Sequence, residues 1–153
     1  MVHIDGVKSE DFFEDFIINN LSNINIKRIH NPFDFIVGSI YIEVKSAKLY
    51  VSQSKNKAKF QHGKYEFWNI KQLQKAKKKN VWICFIIQHD QEFIIHGFLK
   101  SKYLTNSRVI TINSIQKLPL KSKKQFIQYM RMNPANESKS IISKILNILK
   151  LKK

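Results

Sequence analysis

Two apolar runs separated by a Gly-Ser pair constrain this chain's fold more than any other stretch: Phe35-Ile36-Val37, then Gly38-Ser39, then Ile40-Tyr41-Ile42. A glycine-first pair suits a two-residue type II′ turn, because glycine enters positive φ at no steric cost. Such a hairpin pairs Val37 with Ile40, Ile36 with Tyr41 and Phe35 with Ile42. Carried one step outward, it sets Asp34 opposite Glu43. Side chains alternate along a strand, so Asp34, Ile36, Tyr41, Glu43 and Lys45 share one face, and Phe35, Val37, Ile40, Ile42 and Val44 share the other. One face is apolar, while the other carries two carboxylates and an ammonium.

Like charges directly opposite each other, with Cβ atoms about 5 Å apart, repel unless something offsets them. A hard divalent cation such as Mg²⁺ or Mn²⁺ does so, because carboxylate oxygens are its preferred ligands. The Lys45 amine beside it then orients a water or stabilises an anionic transition state. The plainer reading is an exposed hairpin in which Lys45 neutralises one acid. The register that brings Asp34 to Glu43 favours the metal site over that reading.

Charge points to the class of partner. Among 153 residues, 27 Lys and Arg stand against 11 Asp and Glu, a net charge of +16. Such an excess favours nucleic acid or an anionic membrane surface, with a solvated lysine coat as the bland alternative. The 43% hydrophobic content is enough for one domain with a real core. A single cysteine, Cys84 in the run Val81-Trp82-Ile83-Cys84-Phe85-Ile86-Ile87, excludes an intrachain disulfide framework and reads as a core residue. The N-terminus lacks the basic-then-apolar order of a signal peptide, and no apolar run approaches the roughly 20 residues of a membrane span. The expectation is an intracellular, soluble protein with no membrane partner.

The remaining elements follow from periodicity. Ser9 can cap a helix running to about Leu21, with Phe13, Phe16, Ile17 and Leu21 as its apolar stripe. Glu10 lies at the stripe's edge and is the acid of this helix expected to look toward the sheet, with Glu14 as its close rival. Asp11, Asp15 and Asn19 are expected to face away. Ile24 to Ile29 alternates like an edge strand, and the strand after Gly38-Ser39 is expected to continue to about Val51. Gln53 to Lys64 reads as a mobile loop whose Lys55, Lys57, Lys59 and Lys64 are available to phosphates. Phe67 to Lys79 is a second helix, apolar along Phe67, Ile70 and Leu73. Lys71, Lys75, Lys78 and Lys79 form its basic side, bordered by Gln72 and Trp68.

Val81 to Gln88 and Glu92 to Leu99 form a hairpin around His89-Asp90-Gln91, and its first run, apolar on both faces, is a central strand. Arg108 to Ile112 adds a strand, Lys121 to Met132 a helix, and Asn136 to Leu151 an amphipathic helix expected to dock on the core or on a second subunit. The division is therefore a core over 1–112 and a helical extension over 113–153. His30 reads as surface or edge packing rather than as a ligand.

With Asp34, Glu43 and Lys45 placed on that order of elements, the chain resembles the PD-(D/E)XK nuclease superfamily over roughly residues 6 to 99. The resemblance implies an α/β restriction-endonuclease-like core, αβββαβ, with helices flanking a mixed sheet. It also implies Mg²⁺ or Mn²⁺ bound by Asp34, Glu43 and the backbone carbonyl of Val44, with Glu10 assisting and Lys45 catalytic. Gly6, Glu10 and Glu43-Val44-Lys45-Ser46 are most similar to archaeal-type Holliday junction resolvases. Those resolvases carry a glycine- and serine-rich loop where this chain has Arg28-Ile29-His30-Asn31-Pro32-Phe33. The implied activity is metal-dependent DNA endonucleolysis, expected in a homodimer, with Lys48, Lys55, Lys57, Lys59, Lys64, Lys71, Gln72 and Lys75 contacting DNA. The alternatives are a restriction- or homing-type enzyme and a non-cleaving DNA-binding module on the same fold.

Overall fold

The structure is a computed structural model that describes residues 4–30, 32–52, 60–67, 69–79 and 81–132. The first helix, α1, spans Ile4–Asn20. It begins well before Ser9, which is buried in its interior rather than capping it. A side-chain bond closes its end, with the Asn20 amide donating to the Phe16 carbonyl at 2.8 Å. The strands β1 (Ile26–Arg28), β2 (Phe35–Val37) and β3 (Ile40–Lys48) follow. Then come β4 (Tyr50–Ser52), β5 (Phe60–His62), β6 (Lys64–Glu66) and the second helix, α2 (Ile70–Lys79). The strands β7 (Trp82–His89), β8 (Glu92–Lys100) and β9 (Val109–Thr111) precede the short α3 (Ile112–Ile115) and α4 (Lys123–Met132).

The central sheet is five-stranded and mixed, in the order β1-β2-β3-β7-β8. Its pairs are antiparallel except β3 with β7, which run parallel and are joined through β6 and α2. The β2–β3 register is the one the spacing predicts: Phe35 opposite Ile42, Ile36 opposite Tyr41, Val37 opposite Ile40. Gly38 takes φ 62° while Ser39 stays out of the positive region, the combination of a type II′ turn. At the β7–β8 hairpin the loop is the pair Asp90-Gln91, both at positive φ as in a type I′ turn, because His89 already pairs with Glu92.

Helices cover both faces of the sheet. On one side Phe13 and Ile17 of α1, Leu21 just after it, and Phe126, Ile127 and Met130 of α4 enclose Phe35, Val37, Ile42, Val44, Trp82 and Phe98. The Phe98 and Phe126 rings lie 3.9 Å apart and 2° from parallel. A capping box starts α4: Ser122 Oγ accepts the Gln125 N–H at 3.1 Å, and Gln125 Oε1 accepts the Ser122 N–H at 2.8 Å. The described part of the expected C-terminal extension therefore belongs to the same core as the hairpin.

The other face is also covered, by Leu73 and Ala76 of α2 together with Tyr65, Phe67, Ile110 and Ile112. The face that carries the two carboxylates and the ammonium is thus roofed, and Glu43 and Lys45 are only 5% and 8% exposed, which rules out the exposed hairpin of the plainer reading. Two further expectations are corrected here. The predicted loop over Gln53 to Lys64 contains β5, which pairs with β4, and runs into β6, which pairs with β9. Helix α2 starts at Ile70 rather than Phe67, with Asn69 Oδ1 capping the Gln72 N–H at 2.7 Å, so Ile70 is 44% exposed. Lys55, Lys57, Lys59, Trp68 and the predicted helix over Asn136 to Leu151 lie outside the described residues. No helix among the described residues is long and apolar enough to cross a membrane.

Candidate functional site

Ladder pairing between β2 and β3 stops at Phe35–Ile42, and the chain before Phe35 turns toward β1, with the Ile29 N–H bonded to the Asp34 carbonyl at 2.9 Å. The Asp34 side chain then takes over the role of the missing strand: Oδ2 accepts the Val44 N–H at 2.8 Å. This fixes the carboxylate against β3 beside Glu43. Val44 itself, expected as a carbonyl ligand, is tied to Asp34 through its N–H, with its side chain in the α1-facing core.

Asp34 is the hub of three acids. Burial, then a side-chain hydrogen bond with Asp34 and the Asp34 charge, push the Glu43 carboxyl up to about 9, against the pull of the nearby Lys45 cation. Half-buried Glu10 reaches the same partner from α1. Its carboxyl rises to about 7 through burial, a hydrogen bond with Asp34, and the charges of Asp34 and Asp11, partly offset by Arg28. A hydrogen bond between two carboxyl groups needs a proton, so near neutral pH the cluster holds protons between its members.

Among the described residues, no three His, Cys, Asp or Glu side chains stand around a position that would hold a metal ion. The hub is a chain of contacts centred on Asp34 rather than a formed coordination shell. As donor chemistry the set fits a hard divalent cation: hard oxygens, at least one acid almost fully desolvated, and protons that a cation would displace.

Arg28 sets the position of α1. It pairs with Asp11 at 2.8 Å and Glu14 at 3.0 Å, and its guanidinium lies 5.2 Å from the centre of the Phe35 ring. Glu14 is therefore engaged with Arg28, and Asp11, expected to face away, shares that cation. Lys45 closes an ion pair with neither Glu43 nor Asp34; its Nζ sits 4.8 Å from the centre of the buried Phe67 ring.

Of the residues expected to contact nucleic acid, Lys48, Lys64, Lys71 and Lys75 are exposed and Gln72 is half-buried. Lys71 and Lys75 lie one turn apart on α2, and the Lys48 backbone touches Gly63, next to Lys64. His30 is exposed, at φ 63°.

Three features carried no usable sequence signal. Arg28 looked like part of an alternating edge strand, and Phe67 like one more apolar position of a helix. The third is a pair on the roofed face, where the Tyr65 hydroxyl lies 3.1 Å from His96 Nδ1. His96 falls at an irregularity of the β7–β8 ladder, unpaired between Gly97, opposite Phe85, and Ile95, opposite Ile86. Comparison with protein-family models, curated proteins and solved structures finds no match to this chain.

Proposed function

We propose that the protein is a metal-dependent endonuclease that hydrolyses phosphodiester bonds in DNA. The observation that carries this reading is the convergence of Glu10 from α1, Asp34 from the turn before β2 and Glu43 from β3, beside a buried Lys45 held out of any ion pair with them. Gathering desolvated acids opposes folding, and clusters of this kind concentrate at reactive sites.

Asp34, Glu43, Glu10 and the Val44 carbonyl are the groups that would hold Mg²⁺ or Mn²⁺, which supplies a polarised phosphate and a bound water of lowered pKa. To serve as its ligands, Glu10 and Glu43 would have to lose the protons that burial and Asp34 favour on them. Lys45 directs its ammonium at the phosphate oxygens or the attacking water, where extra negative charge develops. Exposed Lys48, Lys64, Lys71 and Lys75 add non-specific attraction for the DNA backbone. The resemblance of Gly6, Glu10 and Glu43-Val44-Lys45-Ser46 to junction resolvases extends the proposal to four-way junctions, and a homodimer would let two sites cut two strands.

One observation favours a second reading. Among the described residues no three of these side chains are arranged about a cation position, as expected of a DNA-binding module that does not cleave. Incubation with linear, supercoiled, single-stranded and four-way-junction DNA, in Mg²⁺, Mn²⁺ or chelator, separates the two. Products that require metal and vanish with Lys45→Met support the nuclease. DNA binding with no metal-dependent product on any substrate overturns it.

A further inference from the structure

We infer that Phe67 is a positioning residue for Lys45: its ring face, rather than a carboxylate, holds the ammonium at the site. The inference rests on the nuclease reading for its consequence and on geometry for its substance. A lysine 8% exposed and close to a 5% exposed glutamate would ordinarily close a salt bridge. Here it does not, and the Nζ lies 4.8 Å from the centre of a ring that is itself 1% exposed. A cation over an aromatic face is attracted by the ring quadrupole, most strongly where water is excluded.

The surroundings fix that ring. Phe67 lies between β6 and α2, where its N–H donates to the Arg108 carbonyl at 2.9 Å. It sits in the same buried cluster as Tyr65, Leu73 and Phe85, and Phe85 is the β7 partner of Lys45 across the parallel ladder. Tyr65 in turn packs edge-on against Phe85 at 4.6 Å. Roof and sheet therefore hold the aromatic face in place while β3 presents the lysine to it.

The arrangement has a chemical consequence. An ammonium bonded to Glu43 would have its charge cancelled and would compete for the carboxylate as a ligand. An ammonium attracted by a neutral ring keeps its charge and its hydrogen-bond donors free for an anionic oxygen, and leaves Glu43 free as well. Phe67 itself touches neither substrate nor metal in this account.

The test pairs a spectroscopic with a kinetic readout. In the wild-type protein the Lys45 ε-methylene protons should resonate upfield of ordinary lysines because of the Phe67 ring current. The shift should persist in Phe67→Tyr and disappear in Phe67→Leu. In metal-dependent DNA cleavage, Phe67→Leu should lower kcat at least about tenfold with KM within about twofold, and Phe67→Tyr should recover most of the rate. Ordinary Lys45 shifts in the wild-type protein overturn the inference without any variant having to fold. A folded Phe67→Leu protein that loses the shift but cleaves at the wild-type rate overturns the positioning role and leaves the nuclease reading standing. A wild-type protein with no cleavage under any condition overturns the nuclease reading, and the positioning role with it.

Discussion

Asp34 and Val44 are joined by a side-chain to backbone hydrogen bond of 2.8 Å at the point where β2 stops pairing with β3. The carboxylate thus serves the fold and the candidate site together, and two substitutions separate those roles. Asn at position 34 keeps an oxygen for the Val44 N–H and removes the charge that raises Glu10 and Glu43. Ala removes both. At about pH 8, Asp34→Asn should melt no lower than the wild-type protein, while Asp34→Ala should lose about 1–3 kcal/mol from the orphaned donor. Metal-dependent cleavage should fall at least about 100-fold in both. Equal melting of the Asn and Ala variants would show that the bond contributes nothing.

Stability should fall as pH rises from mildly acid to alkaline. Glu43 and Glu10 carry folded-state pKa values of about 9 and about 7, raised from an ordinary 4.5. The folded protein therefore binds more protons than the unfolded chain above pH 4.5 or so. The advantage of the protonated acids is full below that point and is lost as pH passes through about 7 and then about 9. Glu43 steepens the decline by up to about 1.4 kcal/mol per pH unit within its window, and half-buried Glu10 by less, because solvent screens it. Melts from pH 5 to 9 should show it, and Glu43→Gln should flatten most of it. A wild-type curve that rises over this range would contradict the buried, proton-sharing cluster.

Metal and protons should compete for the same oxygens. Adding Mg²⁺ or Mn²⁺ at about pH 8 should raise the melting temperature, by an amount equivalent to about 2.7 kcal/mol at one hundred times Kd. The gain should shrink toward pH 5, where the acids stay protonated, and should vanish in Asp34→Asn/Glu43→Gln. Calorimetry in buffers of different ionisation enthalpy should register proton release on binding. A gain independent of pH would place the ion elsewhere.

How far the sequence could lead is visible in the hairpin. Its register and its turn type follow from Gly38-Ser39 and the apolar runs, because a two-residue loop leaves one pairing that keeps the alternation intact. The extension of that ladder to Asp34 opposite Glu43 did not hold: pairing stops at Phe35–Ile42, and Asp34 meets β3 through its side chain, on the Val44 N–H beside Glu43. The covering of the armed face did not follow, because the roof is built by β6 pairing with β9 across more than forty residues of sequence. Ser9 shows the local limit: a serine before an acidic, amphipathic run satisfies the cap pattern equally well inside a longer helix, where burial rather than capping uses it. Phe67 was legible as apolar and not as the partner of Lys45, since that contact joins a connector to a strand.

The last described helix, α4, should be needed for folding. Phe126 is fully buried, stacked on Phe98 and edge-on to Trp82 at 5.5 Å, so it ties α4 to both β7 and β8. Phe126→Ala should cost about 3–5 kcal/mol, a large share of a small domain's stability. Chemical denaturation should show the loss. A change below about 1 kcal/mol would mean that α4 is an appendage and that the core closes without it.

Gly63 offers a test of the roof that touches none of the acids. It lies where β6 begins, and its N–H donates to the Leu49 carbonyl at 3.3 Å. A Cβ built on it would fall 1.9 Å from the Lys48 carbonyl oxygen and 3.0 Å from the carbonyl carbon, both backbone atoms of the strand that carries Glu43 and Lys45. A methyl group there forces β3 and the start of β6 apart, and backbone cannot yield as a flexible side chain would. Gly63→Ala should therefore cost at least about 2 kcal/mol. Because β6 also carries Tyr65 and leads to Phe67, any protein that still folds should bury Lys45 less well. Protease sensitivity within residues 60–66 and a loss of the Lys45 ring-current shift should appear together. Wild-type stability with that shift intact would show that β3 and β6 tolerate separation and that the roof does not depend on their close approach.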